Sequence, residues 1–219
     1  MNMKDTVLMV MSIRDIESVK KANDILDCEK IYLTNYTEYE LVPIINNFIN
    51  ESNFKNYFIT SDDAMISGDK FNLLKYYLQF LPIVSGWCVW KQNCTATTIV
   101  DEKKLNFINP FFSQLHISDL SNASYNTYEI EALPNIINSG FSGWSFTGAS
   151  KEIWKQYPFQ VHDKEMLARS DYNFSTRVLK DQKYNISIVK KCRAIHLNGG
   201  RKIDYSKYNF YPKSIIKTF

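Results

Sequence analysis

Two neighbouring carboxylates, Asp62 and Asp63, directly follow the apolar run Tyr57-Phe58-Ile59-Thr60 and Ser61. An apolar run that breaks into acidic residues is typical of a buried strand whose carboxyl end faces a crevice, which is where open α/β sheets bind ligands. Fixed carboxylates at such an edge suit a hard divalent cation, and that cation in turn suggests a diphosphate ligand. The alternative is a strand that ends in a solvated acidic turn, because Asp is common in turns.

Composition limits the classes of function. The chain has 219 residues, 45% of them hydrophobic and 22% charged, which is ordinary for a globular protein. A net charge of +3, with no basic stripe outside the tail, argues against nucleic acid as a partner. No apolar stretch approaches the ~20 residues that span a bilayer. The N-terminal residues lack a signal-peptide cleavage site, so we expect a cytoplasmic protein without a transmembrane segment.

The cysteines predict no chemistry. The chain has four, Cys28, Cys88, Cys94 and Cys192, and none is spaced as Cys-x-x-Cys. Scattered thiols of this kind are most often small buried side chains, so we expect neither a zinc site nor a disulfide framework.

The elements that must position the acidic pair alternate as in βαβ units. Strands are predicted at Thr6–Met11, at Lys30–Thr34 and up to Ser61, and helical apolar stripes run through 16–26, 41–49 and 71–81. Pro43 is expected in the first turn of its helix. A further strand at Ile83–Trp90 is interrupted by Gly86. The pattern predicts a doubly wound α/β fold, which binds nucleotides at the carboxyl ends of its strands.

The second half is less regular. Periodicity fades over residues 102–139, and the polar cluster Ser118–Asn122 predicts a loop. Helices follow near 151–157 and 172–180, with a strand at 184–189. The segment Gly143–Gly148 has the glycine spacing of a phosphate loop, but Ala149 replaces its lysine, which excludes an ATPase. We expect these glycines to allow a tight turn and close approach to a bound molecule.

Three segments together resemble one family. Ser61-Asp62-Asp63 is similar to an Asp-x-Asp element in which Ser61 stands where the first acid often lies. Gly143–Gly148 resembles an acceptor-side glycine and aromatic segment, and Ser170–Arg177 through Lys183–Ile188 resembles an acidic helix followed by a Gly-Tyr-x-Ile strand. In this order and spacing they resemble the GT-A glycosyltransferases, most nearly the inverting family 2 type. The resemblance implies a single GT-A domain over 1–219, an α/β fold with a single Rossmann-like mixed sheet flanked by helices. It has a nucleotide-sugar half (1–101), an acceptor half (102–198) and a tail (199–219).

That resemblance also implies an activity. The protein would transfer a sugar from a UDP or GDP sugar to a hydroxyl of a glycan, a lipid-linked or a protein acceptor, with Mn²⁺ or Mg²⁺. Asp63 and His196 would hold the metal, although a histidine beside apolar neighbours is more often a core residue. Asp171 would act as the general base, and Asp163 and Glu165 are the other candidates for that role. The alternative for Asp171 is an acid at a helix N-terminus that interacts with the helix dipole.

The remaining residues implied by the resemblance would bind the donor: Asp62 at sugar or ribose hydroxyls, Ser61 beside it, Ser12 and Arg14 after the first strand, Asn35 and Tyr36 after the second, and Trp144 in the glycine and aromatic segment. Arg201 and Lys202 would close over the diphosphate, or form a solvated tail. Retention of configuration stays open. The alternatives are a sugar-nucleotide nucleotidyltransferase, which needs a glycine-rich loop where Met11–Asp15 has no glycine, and a non-catalytic nucleotide- or glycan-binding module.

Overall fold

The computed structural model describes residues 5–11, 17–33, 38–90, 95–110, 117–160 and 170–197. Its first elements are β1 (Thr6–Met11), α1 (Glu17–Asp24), β2 (Glu29–Leu33), α2 (Glu38–Glu51), β3 (Asn56–Ser61), β4 (Ala64–Met65), α3 (Gly68–Tyr77) and β5 (Ile83–Trp87). The later elements are β6 (Ala96–Val100), α4 (Glu102–Ile108), α5 (Ile117–Ala123), β7 (Ser124–Asn126), a 3-10 turn (Ile130–Ala132), β8 (Ile136–Ser139), β9 (Ser145–Ser150), α6 (Lys151–Gln156), α7 (Ser170–Asp181), β10 (Ile186–Arg193) and β11 (Ile195–His196).

A seven-stranded sheet in the order β2-β1-β3-β9-β5-β10-β8 forms the centre. Strand β1 is parallel to β2 and β3, and β5 is parallel to β10. Strand β9 runs antiparallel between β3 and β5, and β8 lies antiparallel at the edge. This mixed, mostly parallel sheet flanked by helices confirms the α/β architecture that the sequence predicts.

Strand β1 shows why the sheet is buried on both faces. All six of its residues are buried, and successive side chains point to opposite faces. Val7 and Met9 pack in a core with α2, α6 and α7, whereas Leu8 and Val10 pack in a core with α3. An uninterrupted apolar strand is therefore required here, because neither face meets solvent.

The carboxyl ends of the first three strands lie side by side. Met11 of β1 is in register with Leu33 of β2 and with Ser61 of β3. The chain therefore leaves all three strands at one edge of the sheet, and Asp62 and Asp63 follow immediately at that edge.

Three local predictions were wrong. Helix α2 begins at Glu38, so Pro43 lies in its second turn. Gly86 lies within β5, where a Cβ would be 2.6 Å from the Ser145 carbonyl oxygen, so glycine allows close strand contact. Residues 117–123, expected as loop, form α5, because Leu120 and Ala123 are fully buried in a small core that also contains Leu105 and Phe141.

No helix within the described ranges is both long and apolar enough to cross a membrane.

Candidate functional site

The acidic pair lies in the turn between β3 and β4. Asp62 and Asp63 are each only 7% exposed, which argues against a fully solvated acidic turn. The Ser61 hydroxyl donates a hydrogen bond to Asp63 Oδ1 at 2.9 Å. Ser61 therefore orients the Asp63 carboxylate, a function that the sequence pattern did not indicate.

The structure brings His196 to Asp63. Strand β11 pairs antiparallel with β4, which places His196 opposite Ala64, and the Leu197 N–H donates to the Asp63 carbonyl at 2.8 Å. His196 Nε2 then lies 3.1 Å from Asp63 Oδ2. The His196 side chain is 23% exposed, so it is not a fully buried core histidine. The two residues predicted as metal ligands are neighbours, although metal binding itself stays a prediction.

Trp144 connects the acidic turn to α7. Its carbonyl accepts a hydrogen bond from the Ser61 N–H at 3.1 Å, and its indole Nε1 donates to Ser170 Oγ at 3.0 Å. Ser170 is the first residue of α7 and precedes Asp171, the predicted base. One residue thus fixes the end of β3 relative to the helix start that carries Asp171.

The backbone near Trp144 is unusual. Trp144 and Phe146 have φ angles of 45° and 64°, values that are uncommon for residues other than glycine. The register between β3 and β9 shifts at this point, since Ile59 pairs with Thr147 but Thr60 pairs with Ser145. Phe146 is therefore the extra residue of a β-bulge, which redirects the chain beside the candidate site.

The ring of Trp144 lies in the core. The residue is 4% exposed, and its ring contacts those of Trp154, Phe159 and Phe174 at centroid distances of 6.1, 5.4 and 5.5 Å. The predicted contact of Trp144 with a donor stays untested. The contacts that the structure contains make Trp144 a positioning residue.

A chain of buried hydroxyl groups holds α7 against the sheet. Ser85 Oγ lies 2.9 Å from Thr147 Oγ1, which lies 2.5 Å from Ser142 Oγ. The Ser142 N–H donates to Ser175 Oγ of α7 at 3.1 Å. The half-buried Asp171 carboxylate accepts a hydrogen bond from the Tyr172 N–H at 2.9 Å. Asp171 therefore stands on a helix whose position is fixed by polar contacts from β5, β9 and the segment before it.

Gly143 and Gly148 pack against aromatic rings of the protein, and the approach of this segment to a bound molecule stays a prediction. Gly148 lies inside β9, and a Cβ there would be 2.3 Å from the Phe58 ring. A Cβ on Gly143 would be 2.9 Å from the Phe141 ring. These glycines make room for protein side chains.

The described cysteines confirm the expectation of buried thiols. Cys28, Cys88 and Cys192 are free and buried. Burial raises the pKa of the Cys28 and Cys88 thiols to about 11 and that of Cys192 to about 12. Neutral thiols are poor nucleophiles and poor metal ligands, so these three cysteines lie outside the site chemistry.

Several predicted residues lie outside the described part of the chain, namely Ser12, Arg14, Asn35, Tyr36, Asp163, Glu165, Arg201 and Lys202. The first two follow β1 in the chain and the next two follow β2. Their strands end at the same sheet edge as β3.

Comparison with known proteins shows a likeness in fold. No protein-family model and no curated protein matches the sequence. Among solved structures, A197 from STIV is similar with a TM-score of 0.57 and 11% identity, over 91% of this chain and 86% of that one. The inositol-1-phosphate CTP transferase from T. maritima matches with a TM-score of 0.40 and 10% identity, over 89% of this chain and 69% of that one, which is too weak to carry an argument. The chain thus shares a mixed α/β fold with A197.

Proposed function

We propose that this protein is a metal-dependent transferase for a nucleotide-linked substrate, and that the group it transfers is a sugar. The observation that carries the proposal is the contact between Asp63 and His196, with an Oδ2 to Nε2 distance of 3.1 Å. This pair lies at the sheet edge where β1, β2 and β3 end together. Carboxyl edges of open α/β sheets are where such folds bind their ligands.

The donor set suits a divalent ion that is also held by substrate. No group of three or more His, Cys, Asp or Glu side chains suited to a metal occurs among the described residues. A carboxylate and an imidazole supply two donors, and Mg²⁺ in nucleotide enzymes often takes its remaining ligands from phosphates and water. Asp63 and His196 would hold Mn²⁺ or Mg²⁺, and the bound ion would neutralise charge on a leaving diphosphate.

The other residues of the site have separate tasks in this proposal. Asp171 accepts the proton of the acceptor hydroxyl as that oxygen attacks the anomeric carbon, and a positioned base of this kind contributes ~10²–10⁴-fold. Asp62 accepts hydrogen bonds from donor hydroxyls. Ser12, Arg14 and Asn35 bind the nucleotide. Trp144 keeps the strand end and the start of α7 at a fixed separation through its two hydrogen bonds.

Sugar transfer is supported by the resemblance to GT-A glycosyltransferases in three ordered segments, and neither structural neighbour is named as a glycosyltransferase. Nucleotidyl transfer is the alternative within the same fold class. The two reactions differ in the leaving group, which is a nucleoside diphosphate in sugar transfer and pyrophosphate in nucleotidyl transfer. The acceptor class, inversion at the anomeric carbon and a cytoplasmic location belong to the proposal.

The leaving group provides the test. Purified protein is incubated with UDP and GDP sugars, and separately with CTP and other nucleoside triphosphates plus a sugar phosphate, in MnCl₂, MgCl₂ or EDTA. We expect nucleoside diphosphate from a nucleotide sugar, by slow hydrolysis even without acceptor, only with metal. Pyrophosphate release from a triphosphate would assign nucleotidyl transfer. Binding of nucleotide sugars in EDTA as tight as with metal would refute the metal-bridged site.

A further inference from the structure

A cavity of about 340 Å³ opens at the ends of β5 and β10, lined by Trp87, Thr127, Ile130, Glu131, Lys190 and Arg193. Its volume lies within the ~300–1,000 Å³ of typical ligand pockets. Strands β5 and β10 are two and three places from β3 in the sheet. At a strand spacing of ~4.8 Å, they lie roughly 10 to 15 Å from the strand that ends at the acidic pair. The cavity is thus separate from the Asp63 edge. The two places are close enough for a pair of substrates, one bound at each, to meet on the same protein molecule.

The cationic wall of the cavity is held in place. The guanidinium carbon of Arg193 lies 5.3 Å from the centroid of the Trp87 ring. Trp87 Nε1 donates to the Lys190 carbonyl at 2.7 Å, which fixes the ring. Lys190 Nζ donates to the carbonyls of Glu131 and Leu133 at 3.0 and 2.6 Å. Both cationic side chains are therefore oriented by neighbours that carry no negative charge.

The lining of the cavity carries a net positive charge. Of the six lining residues, Lys190 and Arg193 are cationic and Glu131 is anionic. Across the described ranges, neither Lys190 nor Arg193 forms an ion pair, with Glu131 or with any other carboxylate. A cavity with two oriented and unpaired cations favours an anionic ligand.

A short stretch of backbone connects the cavity wall to the proposed transfer site. Residues 193–196 run from its wall to the Asp63 contact, and the Ala194 N–H donates to the Trp87 carbonyl at 2.7 Å. Asp63 and Arg193 also both act electrostatically on the Cys88 thiol. Burial is the largest cause of its raised pKa, Asp63 raises the pKa further, and Arg193 lowers it. A molecule in the cavity would therefore lie next to the place where the sugar is transferred.

We propose that this cavity is the acceptor subsite and that it takes an acceptor carrying a carboxylate or a phosphate group. The assignment as an acceptor subsite rests on the proposed transferase function. Arg193 is the main recognition group, because a planar guanidinium matches either anion through two parallel hydrogen bonds and stacking on Trp87 preorganises it. Lys190 adds a second positive charge.

The test follows the indole N–H signals of the four tryptophans in ¹⁵N-labelled protein. The Trp87 signal is assigned with Trp87→Phe, and the probes are glucuronate, glucose 6-phosphate and uncharged glucose. Both anionic sugars are expected to shift the Trp87 signal saturably, whereas glucose at equal concentration leaves it unchanged. Arg193→Gln is expected to weaken binding of the anionic sugars by about tenfold or more, the size of a charge-assisted pair.

Lys191→Gln is the matched control, because Lys191 is an exposed cation on β10 that does not line the cavity. Its affinity for glucuronate and glucose 6-phosphate should equal that of the wild type. Unchanged affinity in Arg193→Gln, equal weakening in Lys191→Gln, or an equal shift with glucose would each overturn the subsite. If Arg193→Gln does not fold, Arg193→Lys replaces it, and the loss of the paired hydrogen bonds should still weaken binding several-fold.

Asp63→Asn separates this subsite from a diphosphate site at the metal edge. It should abolish Mg²⁺-dependent UDP binding and leave the affinity for glucuronate unchanged. Loss of glucuronate binding in Asp63→Asn would place the anion at the acidic turn and overturn the proposal. If the wild type binds glucuronate at Trp87 but shows no Mg²⁺-dependent binding of UDP, the transferase function fails and the anion site stands.

Discussion

The two ends of the carboxyl edge carry opposite charge on different backbones. At the β3 end, three parallel strands stop in register and the next residues are the buried acids Asp62 and Asp63. At the other end, β10 continues to Arg193, and its register with β5 shifts between Ile188 and Arg193. The regular end presents carboxylates and the irregular end presents cations. The comparison teaches that strand length and register decide which side chains reach each part of one edge.

The largest expected effect is at the acidic end. A nucleotide at 100 times its Kd stabilises by ~2.7 kcal/mol, which raises the Tm of a domain of this size by roughly 5–11 °C. With UDP and Mn²⁺, Asp63→Asn should lose this rise entirely, because the substitution removes the negative charge and one of the two carboxylate oxygens of the metal ligand. Asp69→Asn, which changes an exposed acid in the first turn of α3, should keep it. A full thermal shift in Asp63→Asn, measured by scanning fluorimetry, would remove the acidic end from metal binding.

The second effect concerns the start of α7, which Trp144 connects to the acidic turn. Asp171→Asn keeps the shape of the side chain but removes a proton acceptor, so turnover should fall by ~10² or more while donor affinity is unchanged. Asp119→Asn is the control, since Asp119 is also an acid in the first turn of a helix. Turnover near the wild-type value in Asp171→Asn would transfer the role of base to Asp163 or Glu165.

A smaller effect is expected at His196. Removing one of two protein ligands should raise the Mn²⁺ concentration for half-maximal activity by at least ~10-fold, a loss comparable to that seen when metal-site partners are removed. The measurement is a metal titration of His196→Ala at saturating donor, with Asp69→Asn on the exposed first turn of α3 as control. An unchanged Mn²⁺ requirement together with a lower Tm would identify His196 as a structural partner of Asp63.

The smallest effect on turnover tests whether Trp144 couples the acidic end to the start of α7. Trp144→Phe removes the indole hydrogen bond to Ser170 and part of a ring packed in the core, so its cost in stability should exceed the ~1 kcal/mol of the bond alone. Trp90→Phe removes an equivalent bond, from Nε1 to Ser124 Oγ at 3.0 Å, in another part of the molecule. Turnover should fall several-fold in Trp144→Phe and stay unchanged in Trp90→Phe. Equal turnover in the two variants at equal Tm would leave Trp144 a purely structural residue.

Local patterns predicted part of this molecule. The apolar runs that became β1 and β3 identified the buried strands and the acidic turn, because strand burial depends on the residues of the strand itself. Helix α5 escaped prediction because tertiary burial of Leu120 and Ala123, not periodicity, stabilises it. His196 was placed with Asp63 by resemblance alone. Trp87 and Arg193 are far apart in sequence and meet only through the pairing of β5 with β10, which no local pattern contains.

The ladder between β4 and β11 has a further consequence. This small sheet has two residue pairs, Ile195 with Met65 and His196 with Ala64, and one flanking hydrogen bond from the Leu197 N–H to the Asp63 carbonyl, whereas six pairs join β1 to β3. Short ladders open locally at low free energy without unfolding of the whole chain. The amide hydrogens of His196 and Leu197 should therefore exchange with solvent much faster than those of β3. A molecule that binds across Asp63 and His196 would slow that exchange, so this short ladder is where occupancy of the site becomes measurable without any turnover.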